Sequence, residues 1–503
     1  MVIKKIFLAL LLLVSLVSCQ KQAAAPEVKS IDDLKGTTIG VQLGTTADVL
    51  ASEYEKKGEG AKVERFTKTA DAIQALKQGK IGCVIVDEAP GKAFLRKNQG
   101  MRILPQTFGE SGFAICIAKG NEVLLKQCNQ AILKLKQSGL LDSISSRHMD
   151  REMAVAYEPQ QVKHSRGKIR FATNATFEPF EYYKDGKIVG IDVDVARALG
   201  DVLDMDVEVV DMEFDAIITS VQTGKADAGI AGMTVTEERK KNINFSEPYA
   251  YERQVVIVND KSNAASMGEG QSLKEKFKSC FVTEHRYQYL VKGLCNTLLI
   301  TFFAIILSLI LGTMIAIVRA THERNHTHQV LNAICQVYLT IVRGTPTMVQ
   351  LLIIYYVVFA SADVNKIVVA VIAFGLNSAA YIAEVIRSGI MSVDRGQMEA
   401  GRSLGLSYSK TMRLVILPQA FKNVMPAMGN ELITLLKETS ISGYIGLVDL
   451  TKGSDIIRSI TYEAMLPLGI VACIYLLIVA ALYMVFRNWK SICAAQREDK
   501  TNE

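Results

Sequence analysis

The sequence predicts a two-lobed α/β clamshell followed by an all-α membrane domain of five transmembrane helices. Three observations carry that expectation. Strand and helix patterns alternate in two successive runs between residues 30 and 258, with a weak internal repeat. Apolar residues make up 49% of the 503 residues and concentrate at residues 1–18 and beyond Leu290. Five stretches beyond Leu290 approach the roughly 20 residues that cross a bilayer. The length exceeds what one compact core holds, so several domains are expected. The net charge of +6 is modest, and the basic residues flank apolar segments rather than forming one patch. That distribution offers no footing for nucleic acid.

The N-terminus reads MVIKKIFLALLLLVSLVSC. A basic start at Lys4 and Lys5 leads into an apolar run that ends in small residues, the pattern of a secretory signal at 1–19. The run is short for a spanning helix. The ending Leu16-Val17-Ser18-Cys19 resembles a bacterial lipoprotein cleavage box, which implies lipidation of Cys19. Residues 20–29 form a polar tether, and the α/β runs beyond it are expected outside the cytoplasm. The nine cysteines show no paired spacing and no Cys-x-x-Cys. No disulfide framework, metal site or cofactor is therefore expected, and most cysteines read as small apolar core residues.

Residues 30–150 run from a β-branched strand at Thr37–Val41, through Gly44-Thr45-Thr46, into a helix near Ala47. A helical pattern at Asp71–Gln78, a strand at Cys83–Val86 ending on Asp87, a strand at Phe113–Ile117 and two helices over 121–147 come next. After a linker at 151–166, residues 167–260 repeat the alternation. Strands are expected at Lys168–Thr173, Val207–Val210 and Ala226–Ala231, with helices at Asp192–Leu203 and Asp215–Gln222. The repeat is visible as Asp71-Ala72-Ile73 leading to Gly79-Lys80, matched by Asp215-Ala216-Ile217 leading to Gly224-Lys225.

Residues 173–199, TNATFEPFEYYKDGKIVGIDVDVARAL, with 232–249, GMTVTEERKKNINFSEPY, resemble the first lobe of polar amino acid binding proteins, the solute-binding proteins of family 3. Residues 33–50, DLKGTTIGVQLGTTADVL, with 84–90, VIVDEAP, are similar to the second lobe of the same family. The resemblance thus implies a periplasmic-binding-protein-like clamshell with its lobes in circularly permuted order, whether by a permutation or by loss of the outer lobes from two tandem binding domains. The new chain ends are expected to interrupt one crossing between lobes and to loosen the hinge.

The resemblance also assigns the chemistry. A zwitterionic ligand needs a cation for its carboxylate and an anion for its ammonium. Arg239 is implied as the carboxylate ligand, because its planar fork accepts a carboxylate at two points. Gly232 and Thr234 would add backbone and hydroxyl groups. Asp87 matches the ammonium acceptor. Thr46 at a helix start would donate to the carboxylate, aided by the helix dipole. Phe177 and Phe214 would flank the ligand side chain. Asn174 stands where many binders of basic amino acids carry an acidic residue, which weakens, without excluding, a lysine or arginine ligand.

Residues 261–290 read as a linker and a basic-aromatic interfacial helix. The membrane domain spans 291–487, with apolar stretches at 293–318, 346–361, 366–387, 424–446 and 464–486 and a cytoplasmic tail at 488–503. Residues 329–343 are either interfacial or an extension of the second span. Five spans that start outside place Arg319 and Arg324, the 387–422 cluster of Arg and Lys, and Arg487, Lys490, Arg497 and Lys500 inside. Outside loops hold only Lys366, Lys452 and Arg458, in accord with the positive-inside rule. Glu431, Lys437 and Glu438 fall within or near a span, where charges face a cavity or each other. They are candidates for the translocation path or for a local Lys437–Glu438 pair.

Residues 394–420 hold the most specific motif: Glu399-Ala400-Gly401, then Gly405, then Val415-Ile416-Leu417-Pro418. It resembles the coupling loop of ABC importer permeases, with Val415 in a slot that family fills with Ile. Arg343-Gly344-Thr345-Pro346 and residues 430–440 resemble the amino acid permease subfamily. The resemblance implies an amino acid importer, not an enzyme, at the bacterial inner membrane with its binding module outside. No phosphate-binding Gly-x-x-x-x-Gly-Lys-Ser/Thr loop exists, and GLSYSKT (405–411) lacks the second glycine. A separate ATPase is therefore expected, with the chain paired as a homodimer or with a similar permease. The alternative reading is a ligand-gated channel built on the same lobes. It lacks a visible re-entrant selectivity loop.

Overall fold

The computed structural model describes residues 28–58, 60–98, 100–149, 157, 165–260, 272–360, 362 and 364–501, the side chains of 324–325 and 488–501 excepted. Cys19, with the signal before it, and most of the 151–166 linker lie outside the described residues. The chain divides into two compact units. One runs to Ser111 and takes up Tyr251–Gly270; the other holds Gly112–Ala250 and everything from Gln271 onward.

The first unit alternates β1 (Thr38–Gln42), α1 (Thr46–Lys56), β2 (Lys62–Phe66), α2 (Thr69–Lys77), β3 (Cys83–Asp87) and α3 (Glu88–Lys97), and closes with β4 (Met101–Phe113). A return strand, Ala250–Asn259, enters between β3 and β4, giving the order β2-β1-β3-return-β4. β1 is parallel to both neighbours, whereas the return strand runs antiparallel to β3. Cys83–Asp87 is buried at every position, and its apolar run Cys83–Val86 suits the central strand of this mixed sheet. Ile39, Val41, Ile85, Val256 and Val258 fill the core between sheet and helices.

The second unit begins with β5 (Cys116–Ile117) and two helices, α4 (Glu122–Gln137) and α5 (Leu140–Met149). Then come β6 (Lys168–Thr173), the hairpins of β7 (Thr176–Phe177), β8 (Glu181–Lys184) and β9 (Lys187–Val189), and α6 (Ile191–Leu203). β10 (Asp206–Asp211), α7 (Ile217–Gln222), β11 (Ala228–Gly229), α8 (Glu237–Lys240) and β12 (Asn244–Phe245) complete it, with the sheet order β10-β6-β11-β5-β12. α5 docks on α6 through His148 Nε2, 2.7 Å from the buried Asp194 carboxylate.

Two expectations shift here. The division falls at Ser111 and Ala250, not at 150 and 260. The apolar helices 122–149 bury their face against α6, and Val255–Val258 complete the other sheet. Of the points where the chain changes unit, those at Ser111 and Ala250 fall in the unbroken strands Met101–Phe113 and Ala250–Asn259, contrary to the expected loss of one crossing.

The membrane part comprises a short helix, α9 (Leu273–Phe277), then α10 (Tyr287–Asn325), α11 (Gln329–Gly344), α12 (Thr347–Ile353, continued by a π-turn to Val358) and α13 (Lys366–Met391). Beyond these lie α14 (Arg395–Ser403), α15 (Tyr408–Thr411), α16 (Leu417–Glu438), α17 (Leu450–Thr461) and α18 (Met465–Thr501). Among the described residues, three helices are long and apolar enough to cross a bilayer, and α11 with α12 form a fourth candidate bent by 110°. The bend sits at Pro346, which cannot donate to the helix ladder. Gln350 Nε2 donates to the carbonyls of Val342 (2.7 Å) and Thr345 (3.0 Å), satisfying groups the break would orphan in lipid. The expected span at 424–446 is not among these candidates. Most of it is α16, whose sequence carries Lys422, Glu431, Lys437 and Glu438.

Candidate functional site

In the second unit, the candidate residues are Phe177 on β7, Phe214 just past β10, Gly232 and Thr234 past β11, and Arg239 on α8. Gly232 takes φ +53°, and a Cβ there would lie 2.9 Å from the Phe177 ring. Its N–H donates to Asp192 Oδ2 at 2.7 Å. Burial pushes the Asp192 carboxyl up to about 6, against the pull of the Gly232 N–H and of Tyr249. Phe177 stacks on Phe180 at 5.8 Å between ring centres. Thr236 caps α8 by accepting from the Arg239 backbone N–H, which fixes where the Arg239 side chain starts. Arg239 Nη1 then donates to the Thr234 carbonyl at 2.6 Å, and its guanidinium lies 5.5 Å from the centre of the Phe214 ring. A fork with five N–H donors is held from one side by a carbonyl and from one face by a ring. That is the preorganisation a carboxylate ligand needs. Asn174 is buried, with its amide donating to the Met212 carbonyl and accepting from Thr176.

In the first unit, Asp87 ends β3 and is buried. It occupies the cap position of α3 but makes no capping bond, so it is not a structural helix cap. Gln254, opposite it on the return strand and 1% exposed, donates from Nε2 to Asp87 Oδ1. The cap role falls to Glu252, whose Oε2 accepts from Ala89 N at 3.1 Å. Burial pushes the Glu252 carboxyl up to about 7, opposed by the Ala89 N–H and reinforced by Glu88. Thr46 is the first residue of α1 and half-buried, while Thr45 is its cap. Asp48 ties this turn by accepting from Gly44 N (3.0 Å) and Arg65 Nε (2.8 Å).

Sequence reasoning missed Asp192, Gln254 and Glu252. Asp192 had a signal: an acidic residue, with Asp194, on the apolar face that opens α6. Gln254 and Glu252 had none, because their roles come from register with β3.

The coupling-loop residues form a helix–turn–helix. α14 ends in a Schellman turn: Leu406 N donates to the Gly401 carbonyl (3.1 Å) and Gly405 N to that of Arg402 (3.0 Å). Gly405 sits at φ +83°, the left-handed value that turn requires. A Cβ on Gly401 would meet Thr411 Cγ2 at 2.4 Å, so the glycine lets α14 and α15 touch. Glu399 and Ala400 are exposed, as is Pro418; Leu417 is half-buried, and Leu404 at the tip is among the most exposed apolar side chains. Glu431 and Glu438 lie seven residues apart on α16 and so share a face. Lys437 is exposed at its last turn.

Residues 169–446, more than half of the chain, match the bacterial extracellular solute-binding proteins, family 3. The chain is 37% identical over 217 residues to the arginine transport system permease protein ArtQ of Bacillus subtilis (strain 168), covering 43% of this chain and 94% of that one. It is 38% identical over 187 residues to the putative glutamine transport system permease protein GlnP of Rickettsia prowazekii (strain Madrid E), covering 37% of this chain and 84% of the relative. A crystal structure of an amino acid ABC transporter with histidines is 38% identical, at 42% of this chain and 97% of that chain, with a TM-score of 0.39. The chain belongs to the family 3 solute-binding proteins and joins that binding module to the permease of an amino acid ABC importer.

Proposed function

We propose that the chain captures a polar amino acid on the outer face of the bacterial inner membrane and passes it through a homodimeric membrane domain. Arg239 takes the ligand carboxylate and Asp87 its ammonium. Phe177 and Phe214 flank the side chain, with Gly232, Thr234, Thr46 and Asn174 around it. The observation that carries this reading is Arg239, oriented by the Thr234 carbonyl and seated on Phe214. Each charge-assisted bond it offers is worth roughly 1.5–3 kcal/mol net. Arginine and glutamine, named for the transport systems of the relatives above, are the first two ligands to test.

The module order is read as a circular permutation. The match to the family begins at residue 169, in the Arg239 lobe, although residues 28–111 precede it. Cys19 is read as the lipid anchor of the mature chain. The exposed surface of Glu399 and Ala400, shaped by the turn at Gly405 and the adjoining Leu417-Pro418, fits a groove on the ATPase subunit. One such loop per chain against a two-site ATPase implies a second loop, from a second copy or from a similar permease. Glu431, Lys437 and Glu438 are assigned to the solute path.

The test uses the full chain with its ATPase in liposomes. Amino-acid-stimulated ATP hydrolysis and uptake are expected. Ion flux on ligand addition without ATP, and no stimulated hydrolysis, would instead establish the channel reading.

A further inference from the structure

The Arg239 lobe and the membrane helices belong to one compact unit, and the chemistry of their junction is unusual for two parts that meet and separate. Lys452, on α17, is only 3% exposed. Its Nζ lies 3.0 Å from Glu213 Oε1 and 3.5 Å from Asp211 Oδ2, one at the end of β10 and the other just past it. Burial would lower the lysine pKa, yet the two carboxylates more than reverse this. The acids are themselves anchored: Asp211 Oδ1 accepts from Ala175 N at 2.9 Å, and Glu213 immediately precedes Phe214. On the other side, Asp449 fixes the start of α17. It accepts from Lys452 N (2.8 Å), Ser442 Oγ (2.8 Å) and Gly443 N (3.0 Å).

Three further contacts have the same character. Lys225, 8% exposed, donates to the carbonyls of Phe359 and Ala362 while its ammonium sits 5.0 Å from the Tyr355 ring centre. A Cβ on Gly446 would fall 2.0 Å from the Asp211 carbonyl oxygen, so the two backbones touch. The Tyr289 hydroxyl accepts from Gly186 N at 3.0 Å. Surfaces that part repeatedly keep their charges at a wet rim, where separation costs little. Parting this junction would break the Lys452, Lys225 and Tyr289 contacts together, and the backbone approach at Gly446 leaves no layer of water along which the surfaces could part.

We propose that the Arg239 lobe is a fixed part of the permease that stays docked throughout transport, locked by Lys452 between Asp211 and Glu213. This rests on the importer reading, and it departs from a cycle in which the whole binding module docks and leaves. Lys452 is then a positioning residue. It holds the strand end that carries Phe214, and through it the Arg239 site, over the membrane domain.

The experiment tethers the lobe. Asp185 and Gln288 line one cavity of 540 Å³ at this junction. In the full chain with its ATPase in liposomes, Asp185→Cys and Gln288→Cys are joined by a short reducible bis-maleimide, with Cys295 and Cys473 replaced by alanine. Peptide mass spectrometry measures the linked fraction. Uptake by the linked protein is expected to stay within about twofold of the unlinked protein, because no detachment is needed. A tenfold or larger loss that reduction of the linker restores overturns the proposal. In parallel, Lys452→Met is expected to cut uptake by at least about tenfold, a loss larger than any accompanying loss of amino acid affinity, and Lys452→Arg to restore uptake; an affinity loss as large as the uptake loss overturns the proposal. Equal activity of Lys452→Met and the parent also overturns it. If the unlinked parent shows no amino-acid-stimulated hydrolysis, it is the importer reading that fails, a result distinct from either outcome above.

Discussion

At the residue scale the candidate site separates what chemistry announces from what only folding supplies. Arg239 and Asp87 are candidates in the sequence because a zwitterion demands opposite charges and the surrounding strings resemble the family. Gln254 is not, because nothing local marks a glutamine as the partner of a residue far upstream in the chain. Arg239→Ala is expected to weaken amino acid binding by at least about 100-fold, from the loss of a paired charge–charge contact, with an unchanged far-ultraviolet circular dichroism spectrum. Calorimetry on the purified full chain checks this, and a shift of only a few-fold would remove Arg239 from the site. Glu252 gives a pH signature. Its folded pKa of about 7 lies above the ordinary glutamate value, so the folded state holds a proton that the unfolded chain releases. The stability this contributes is full below about pH 4.5 and is lost as pH rises through about 7. Glu252→Gln keeps the neutral form at all pH values. The unfolding midpoint of the parent is therefore expected to fall relative to the variant between pH 5 and pH 8, measured by thermal denaturation.

At the element scale, the strands and helices of both lobes were readable from period and composition, whereas the membrane helices were readable only in part. α10, α13 and the apolar stretch of α18 announce themselves by length. The stretch 424–446 was expected to span, but α16, which holds most of it, carries Lys422, Glu431, Lys437 and Glu438 and is not among the crossing candidates of the described residues. The bend at Pro346 was hidden, since the residue that makes it tolerable, Gln350, contributes through side-chain bonds rather than helical propensity. For the coupling loop, the motif located the glycines and the structure shows what each does. Gly405→Ala places a Cβ at φ +83° and should cost roughly 1–2 kcal/mol locally. Gly401→Leu drives a side chain into Thr411 and parts α14 from α15. Both are expected to lower amino-acid-stimulated ATP hydrolysis, Gly401→Leu more, while leaving amino acid affinity unchanged. An affinity loss equal to the hydrolysis loss would contradict a role confined to the ATPase contact.

At the scale of the whole molecule, the sequence showed two α/β runs and a membrane block, but it drew the border between the runs in the wrong place. Period and propensity identify helices 122–149 without saying which sheet they cover. Only their apolar faces against α6 settle that. The same holds for Val255–Val258, which fall within the 167–260 run yet join the sheet of residues 38–113. Neither run is self-sufficient. Residues 30–150 expressed alone would lack the return strand, with Gln254 and Glu252. Residues 167–260 would lack β5 and the two helices. Each half is therefore expected to bind no amino acid and to be poorly folded, whereas co-expression of the two is expected to recover binding. Binding by either half alone would refute the division.

The return strand also fixes a timetable for biosynthesis. The lobe that leaves the ribosome first cannot complete its sheet until residue 259 has been made. Its gap lies in the middle, between β3 and β4, and not at an edge. During the intervening synthesis of some 150 residues, about 7–30 s at ordinary elongation rates, β3 has β1 on one edge and stands open on the other. The second lobe meanwhile has all its strands by Phe245. Of the two lobes, the one translated earlier is thus the later to fold, and it needs shielding from aggregation for longer than its neighbour.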